Sequence, residues 1–150
     1  MVGAPLVVGV NHFSAPIELR ERLALCEDRV NGVLGSLRDS CQAALLSTCN
    51  RMELYAVSSG KVTLHGLRRF FGSWGGISPA DLSPYVYAYA GPEAVRHLFR
   101  VAAGLDSMVV GESQILGQVA DASRMAEAAG SKGKELDQLF TDAIRVGRRV

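Results

Sequence analysis

Residues 45–56 read LLSTCNRMELYA, two apolar runs separated by a thiol, an amide and a guanidinium. The run before them, QAALLSTC (42–49), is continuously apolar, as in a strand buried on both faces, and MELYAVSS (52–59) reads as a further strand. Only Cys49, Asn50 and Arg51 lie between, so the pattern predicts a tight antiparallel hairpin with those three residues at its tip. A structural cysteine usually sits in mid-strand among aliphatic neighbours. This one stands at a chain reversal, where chemistry can be placed.

Working outward, PLVVGVNH (5–12) is β-branched and predicts a strand. Ser14 and Pro16 supply a helix start, and a helical pattern continues with breaks to about Arg38. On the other side, KVTLHGLRRFFGSW (61–74) is expected to be helical and GGISPADLSP (75–84) to be a loop. YVYAYA (85–90) alternates tyrosines with smaller residues, as a half-buried strand does. The order β-α-β, β-α-β with a hairpin joining the halves predicts an α+β, ferredoxin-like sandwich over residues 1–90.

Residues 91–150 are expected to be wholly helical and to extend the same domain. Gly91 and Pro92 open a helix that ends near Gly104, with proline in the favoured first turn. A second helix is expected from about Ser113 to Ala129, stopped by Gly130, and a third from about Lys134 to Val150. A helix running uncapped into the last residue suggests a piece of a longer protein.

Composition narrows the function classes. Of 150 residues 48% are apolar and 21% charged, with a mean hydropathy of +0.14, which describes a folded globular chain. A net charge of +1 makes no case for gripping nucleic acid by bulk electrostatics, so any RNA contact must be local. The N-terminus MVGAPLVVGVNH has no basic leader region and too short an apolar run for a membrane span, so a cytoplasmic protein with no membrane partner is expected. Cys26, Cys41 and Cys49 show no metal-ligand spacing and are expected to be free thiols, with no metal bound. Neither G-x-G-x-x-G nor G-x-x-x-x-G-K-[ST] occurs, so the chain offers no phosphate-cradling loop.

Three constellations carry potential chemistry. Cys49 reads as a nucleophile beside a permanent cation that favours the thiolate, against the plainer reading of a small apolar residue closing a strand. Arg51 reads as a bidentate carboxylate clamp, against the commoner solvated arginine. His97 falls at the edge of the apolar stripe Ala94, Val95, Leu98, Phe99, Val101 and Ala102, half buried, where its ring can still reach a site. His12 and His65 read as structural. In LDSMVVGESQILGQ (105–118), Gln114 and Gln118 are four apart and share a helix face, with Glu112 and Ser113 at the helix start. Capping explains Ser113 alone, whereas a polar substrate at this helix start explains the glutamines too.

Together GVNHFSAPIELRERLAL, LSTCNRMELYA, EAVRHLFRVAAGLDSMVVGESQILGQV and the helix reaching AIRVGRRV resemble the N-terminal catalytic domain of the glutamyl-tRNA reductase family, in order and over nearly the whole chain. The resemblance implies that Cys49 attacks the ester of glutamyl-tRNA(Glu) to give a thioester, which NADPH reduces to glutamate-1-semialdehyde for tetrapyrrole and 5-aminolevulinate synthesis. It implies a catalytic role for His97. Thr48, Asn50, Arg51, Ser107, Glu112, Ser113, Gln114 and Gln118 match the substrate-binding positions. It also implies a downstream semialdehyde aminomutase as partner. Ser113 stands where many relatives carry proline or glycine, and Met52 replaces a commoner polar residue. The family's NADPH-binding and dimerising regions would follow residue 150, so this chain is expected to bind no cofactor and to be limited to thioester formation and esterase activity. Two rival readings are a non-catalytic module for charged tRNA or a protein partner, and a redox-sensing thiol domain, which would need a resolving cysteine near Cys49.

Overall fold

A computed structural model describes residues 3–58, 60–106 and 114–149. The two apolar runs around the tip form β2 (Gln42–Ser47) and β3 (Arg51–Val57), paired antiparallel from Gln42 opposite Val57 to Ser47 opposite Met52. β1 (Pro5–Asn11) lies on the other side of β3, again antiparallel, with Asn11 opposite Arg51. β4 (Tyr87–Ala90) closes the sheet against β1, giving the order β2-β3-β1-β4. This is the α+β arrangement expected, a four-stranded antiparallel sheet with helices packed on it. β3 is paired on both sides and buried along its whole length, which is why MELYA shows no strict alternation.

Between β1 and β2 the expected broken helix resolves into α1 (Ile17–Leu23) and α2 (Glu27–Leu37). The break has a tertiary cause. Trp74 donates its indole N–H to the Leu23 carbonyl at 2.9 Å, and Ala24 and Cys26 are extended.

The stretch 61–74 is helical only over α3 (Leu64–Phe70), started by Thr63, whose Oγ1 accepts the Gly66 N–H. Gly72, at φ 86°, then turns the chain into a 3-10 turn at Ser73–Gly75. The segment 75–84, expected as a loop, contains a one-turn helix, α4 (Pro79–Leu82). Ser78 caps it by accepting the Asp81 N–H at 3.1 Å, and Pro79 occupies the first turn. The Ser-Pro that reads as a turn signal is here a helix start.

The last three helices are α5 (Pro92–Ala102), α6 (Gln114–Ala128) and α7 (Lys134–Gly147). They are tied to the β2 edge. Ala43 N–H donates to the Ser131 carbonyl at 2.9 Å, and Ser131 Oγ donates to the Ala43 carbonyl at 2.8 Å. Gln42 donates to Glu135 at 2.7 Å and accepts the Leu136 N–H at 2.9 Å. The edge is thus covered at Ala43, where both main-chain groups are taken up. Tyr55 of β3 packs edge-on against Phe140 of α7, ring centres 5.5 Å apart, a contact worth about 1 kcal/mol beyond its burial. Among the described residues no helix is long and apolar enough to cross a membrane.

Candidate active site

The reversal between β2 and β3 is closed by Thr48, whose N–H donates to the Arg51 carbonyl at 2.8 Å. Its Oγ1 accepts the N–H groups of Asn50 and Arg51, both at 3.1 Å, a hydroxyl acting as a turn template. The tip therefore comprises Thr48, Cys49 and Asn50, and Cys49 is exposed. Arg20 of α1 braces it, donating to the Cys49 carbonyl at 2.9 Å and to the Ala15 carbonyl at 3.2 Å.

Thr48, Cys49, Asn50 and Arg51 meet Gln114, Ile115 and Gln118 of α6 around a recess of about 30 Å3. That is room for about two waters. Six of the residues expected at a substrate site are thus brought together. Ser107, Glu112 and Ser113 lie outside the described residues. A much larger hollow, about 780 Å3, lies elsewhere, between α5, the start of β1 and the end of α7.

Arg51 is not at the tip but is the first residue of β3, 2% exposed. Its Nη1 lies 3.1 Å from Glu53 Oε2, and its Nη2 donates to the Asp106 carbonyl at 2.8 Å. The physical reason is strand periodicity: residues 51 and 53 share a face, so a guanidinium at the strand's mouth finds a carboxylate one step inward.

Glu53 is fully buried and saturated. Tyr55 donates to its Oε1 at 2.6 Å, and Tyr87 donates to its Oε2 at 2.5 Å. His97 Nε2 lies 2.5 Å from the same Oε2. Burial alone would push the Glu53 carboxyl up. The hydrogen bond and charge of His97, the charge of Arg51 and the Tyr55 hydroxyl outweigh it and bring it down to about 2. The carboxylate in turn raises the Tyr55 and Tyr87 hydroxyls well above the ordinary phenol range, after burial itself.

His97 is 8% exposed, further in than the edge of the α5 stripe suggests, because β4 contributes two tyrosines that wrap its ring. Its Nδ1 points to Asp106, 3.8 Å from Oδ2. It does not line the recess and connects to it through Glu53 and Arg51.

Room for this cluster is made by Gly9, which pairs with Glu53 on one side and Tyr87 on the other. A Cβ there would stand 2.7 Å from Glu53 Cγ, 2.9 Å from the Met52 carbonyl and 3.1 Å from the Tyr87 hydroxyl.

His12, read as structural, lies beside the site. Burial and then the charges of Arg51 and Arg20 hold its pKa below the ordinary histidine value. Both ring nitrogens are shut off from solvent with no hydrogen-bond partner among the described residues. Cys26 is exposed and Cys41 buried, where burial pushes its thiol up.

Sequence reasoning missed Glu53 and the two tyrosines that hold it. One signal was available: a lone acid in an apolar run, with Arg51 two residues before it and Tyr55 two after, all on one strand face.

The fold is thus an α+β domain that presents a solvent-facing thiol on a braced turn, backed by a buried Arg–Glu–His cluster and flanked by amides. Comparison with known proteins gives its family. The family model described as "Glutamyl-tRNAGlu reductase, N-terminal domain" matches residues 8–150, and the chain belongs to that family. A glutamyl-tRNA reductase of Stenotrophomonas maltophilia (strain K279a) is 51% identical over 147 residues, covering 96% of this chain and 33% of the relative. One of Xanthomonas campestris pv. campestris (strain B100) is 50% identical over 147 residues, with 96% and 32% covered. The solved structure of glutamyl-tRNA reductase from Methanopyrus kandleri superposes with a TM-score of 0.79 at 34% identity, over 97% of this chain and 33% of that one. The chain spans about a third of the length of the curated relatives it matches.

Proposed function

We propose that this chain carries out the acyl-transfer half of glutamyl-tRNA reduction. Cys49 Sγ attacks the carbonyl carbon of the ester joining glutamate to the 3′ end of its tRNA. A C–S bond forms, the C–O bond to ribose breaks, and the proton given up by the thiol ends on the departing ribose oxygen. The enzyme is left with a glutamyl thioester. The observation that carries this reading is the exposed thiol of Cys49 at the mouth of a recess shared with Thr48, Asn50, Arg51, Gln114 and Gln118, in a chain of this family.

The esterified glutamate keeps one free carboxylate. A guanidinium has five N–H donors, so Arg51 has donors to spare after its bonds to Glu53 and Asp106 and can read that carboxylate at the recess. Thr48, Asn50, Gln114 and Gln118 supply neutral polar contacts, and Ser107, Glu112 and Ser113 complete the set by family resemblance. His97, clamped by Glu53, orders Arg51 through the shared carboxylate and presents Nδ1 toward Asp106 for proton transfer.

Reduction of the thioester to glutamate-1-semialdehyde needs a hydride from NADPH. The described residues do not fit that cofactor: the sheet is wholly antiparallel, with no strand–glycine turn–helix to seat a pyrophosphate. Its binding belongs to protein outside these 150 residues, as does any hand-over to a semialdehyde aminomutase in a cytoplasmic tetrapyrrole pathway. Without a hydride source the thioester is open to water, so the chain should act as a slow esterase.

Mass spectrometry of the chain incubated with glutamyl-tRNA tests this. One glutamyl adduct should form, persist in Cys26→Ser and Cys41→Ser, and vanish in Cys49→Ser together with the release of free glutamate. An adduct of undiminished yield in Cys49→Ser would remove the assignment.

A further inference from the structure

We propose that Phe13 is the stacking platform for the terminal nucleobase of the RNA that delivers the glutamyl ester to Cys49. This rests on the acyl-transfer reading above and goes beyond it by giving the nucleotide end of the substrate a place.

The argument begins with what must lie near the thiol. The ester is carried on the ribose of the last nucleotide, so when its carbonyl reaches Cys49 Sγ the base is held within one nucleotide's span. A base needs a flat apolar face. Among the described residues the exposed large apolar side chains are Phe13, Ile17, Tyr85 and Leu105; Phe13 belongs to the connection between β1 and α1, and Ile17 is the first residue of α1. Phe13 is 78% exposed, the most of any.

That connection adjoins the tip. Asn11 is opposite Arg51 in the sheet, and its side-chain oxygen accepts the N–H groups of Phe13 and Ser14 at 2.9 and 3.0 Å, which fixes the turn. The Phe13 ring leans on the His12 ring, centres 4.0 Å apart. His12 in turn lies close enough to Arg51 and Arg20 to feel their charges. The turn that carries Phe13 and the tip that carries Cys49 therefore leave the sheet side by side, from the paired residues Asn11 and Arg51. Arg20, which joins the Ala15 carbonyl to the Cys49 carbonyl, locks this connection to the tip.

Charge makes stacking the effective term. With a net charge of +1 the chain has little general attraction for phosphates, so affinity at the acceptor end has to come from local contacts. The paired Phe13 and His12 rings offer such a π-surface.

The test uses the parent chain, Phe13→Ala and Phe13→Trp. Phe13 is mostly in solvent, so neither substitution should disturb folding. Two acyl donors are compared: glutamyl-tRNA, and the glutamyl thioester of N-acetylcysteamine, which has no base. In Phe13→Ala, adduct formation from limiting glutamyl-tRNA should fall about tenfold, the scale of one lost base–aromatic stack. The rate at saturation should be unchanged, Phe13→Trp should restore the loss, and the base-free donor should not respond. Binding of an uncharged oligonucleotide ending in CCA is measured alongside one whose last residue is abasic. The parent should prefer the first by about tenfold, and Phe13→Ala should show no preference. Equal adduct rates in the parent and Phe13→Ala, or an equal loss on both donors, would overturn the platform while leaving the acyl-transfer reading intact. Base-dependent binding lost in Phe13→Ala, without any adduct, would uphold the platform and sink acyl transfer.

Discussion

Cys49 and Glu53 stand four residues apart on one hairpin and could hardly be treated more differently. Cys49 is exposed and held only through its backbone. Glu53 has no exposed surface and engages four side chains drawn from β3, β4 and α5. The exposed thiol is presented on a turn, while the charged groups behind it are set in the sheet's interior, out of reach of solvent. Substitutions at the two ends of the hairpin should accordingly separate stability from chemistry.

The largest effect on stability is expected at Glu53. Glu53→Gln keeps the shape but leaves the buried Arg51 without its counter-charge, which should cost about 3–5 kcal/mol. A urea unfolding midpoint reads it directly, and a loss under 1 kcal/mol would show that the cluster is not the anchor described. Acid gives the same comparison without mutation. The Glu53 carboxyl lies near 2 when folded, below its ordinary 4.5. Its contribution is therefore complete above pH 4.5 and lost as the pH falls toward 2. The parent should lose stability steeply across that window, and Glu53→Gln should lose less. His12, also depressed, adds a gentler loss below pH 6.5, of the same sign.

Arg51 joins the two regions and should show both effects. Arg51→Lys replaces a planar fork by a point charge, so glutamyl recognition should weaken by about 2–4 kcal/mol, read as the rise in the concentration for half-maximal adduct rate. A lysine variant that works like the parent would move carboxylate recognition to another residue. Thr48→Ala removes the acceptor for two backbone N–H groups and should cost about 1 kcal/mol, with a slower adduct rate as the tip loosens. Cys49→Ser should sit at the bottom of the stability scale, within about 0.5 kcal/mol, because the side chain is solvated. A large destabilisation there would mean that the thiol is a packing residue after all.

The same contrast explains what could be read from the chain. The hairpin is a local fact: an apolar run, a short polar interruption and a second run determine it, although its tip falls at Thr48–Asn50, one residue earlier than the pattern predicts. Thr48, Cys49, Asn50 and Arg51 could be picked out because they are contiguous, and Gln114 and Gln118 because a helix puts them on one face. Glu53, Tyr87 and His97 come together across separations of 34 and 44 residues, which no window of periodicity spans. His97 was visible only as a polar residue near an apolar stripe, and its depth depends on tyrosines from another strand. His12 looked structural because its neighbours in sequence are ordinary, whereas its neighbours in space are two arginines. Helix ends failed for a similar reason: α1 stops where Trp74, 51 residues on, takes the Leu23 carbonyl.

Gly9 gives the buried carboxylate a history as well as a place. Even the smallest chiral side chain there would stand within 2.7 Å of Glu53 Cγ, so drift at position 9 is blocked for as long as the acid is retained. Val7 and Val8 are free to trade with other branched residues of similar volume, but Gly9 is not. A lineage abandoning this acid would have to lose Glu53 and also shift the Met52 carbonyl, 2.9 Å from that Cβ, before it could fill position 9. Once alanine or a larger residue had settled there, restoring the acid alone would fail. The missing methyl group works as a ratchet, and a descendant carrying Gly9 has kept open the way back to its charge.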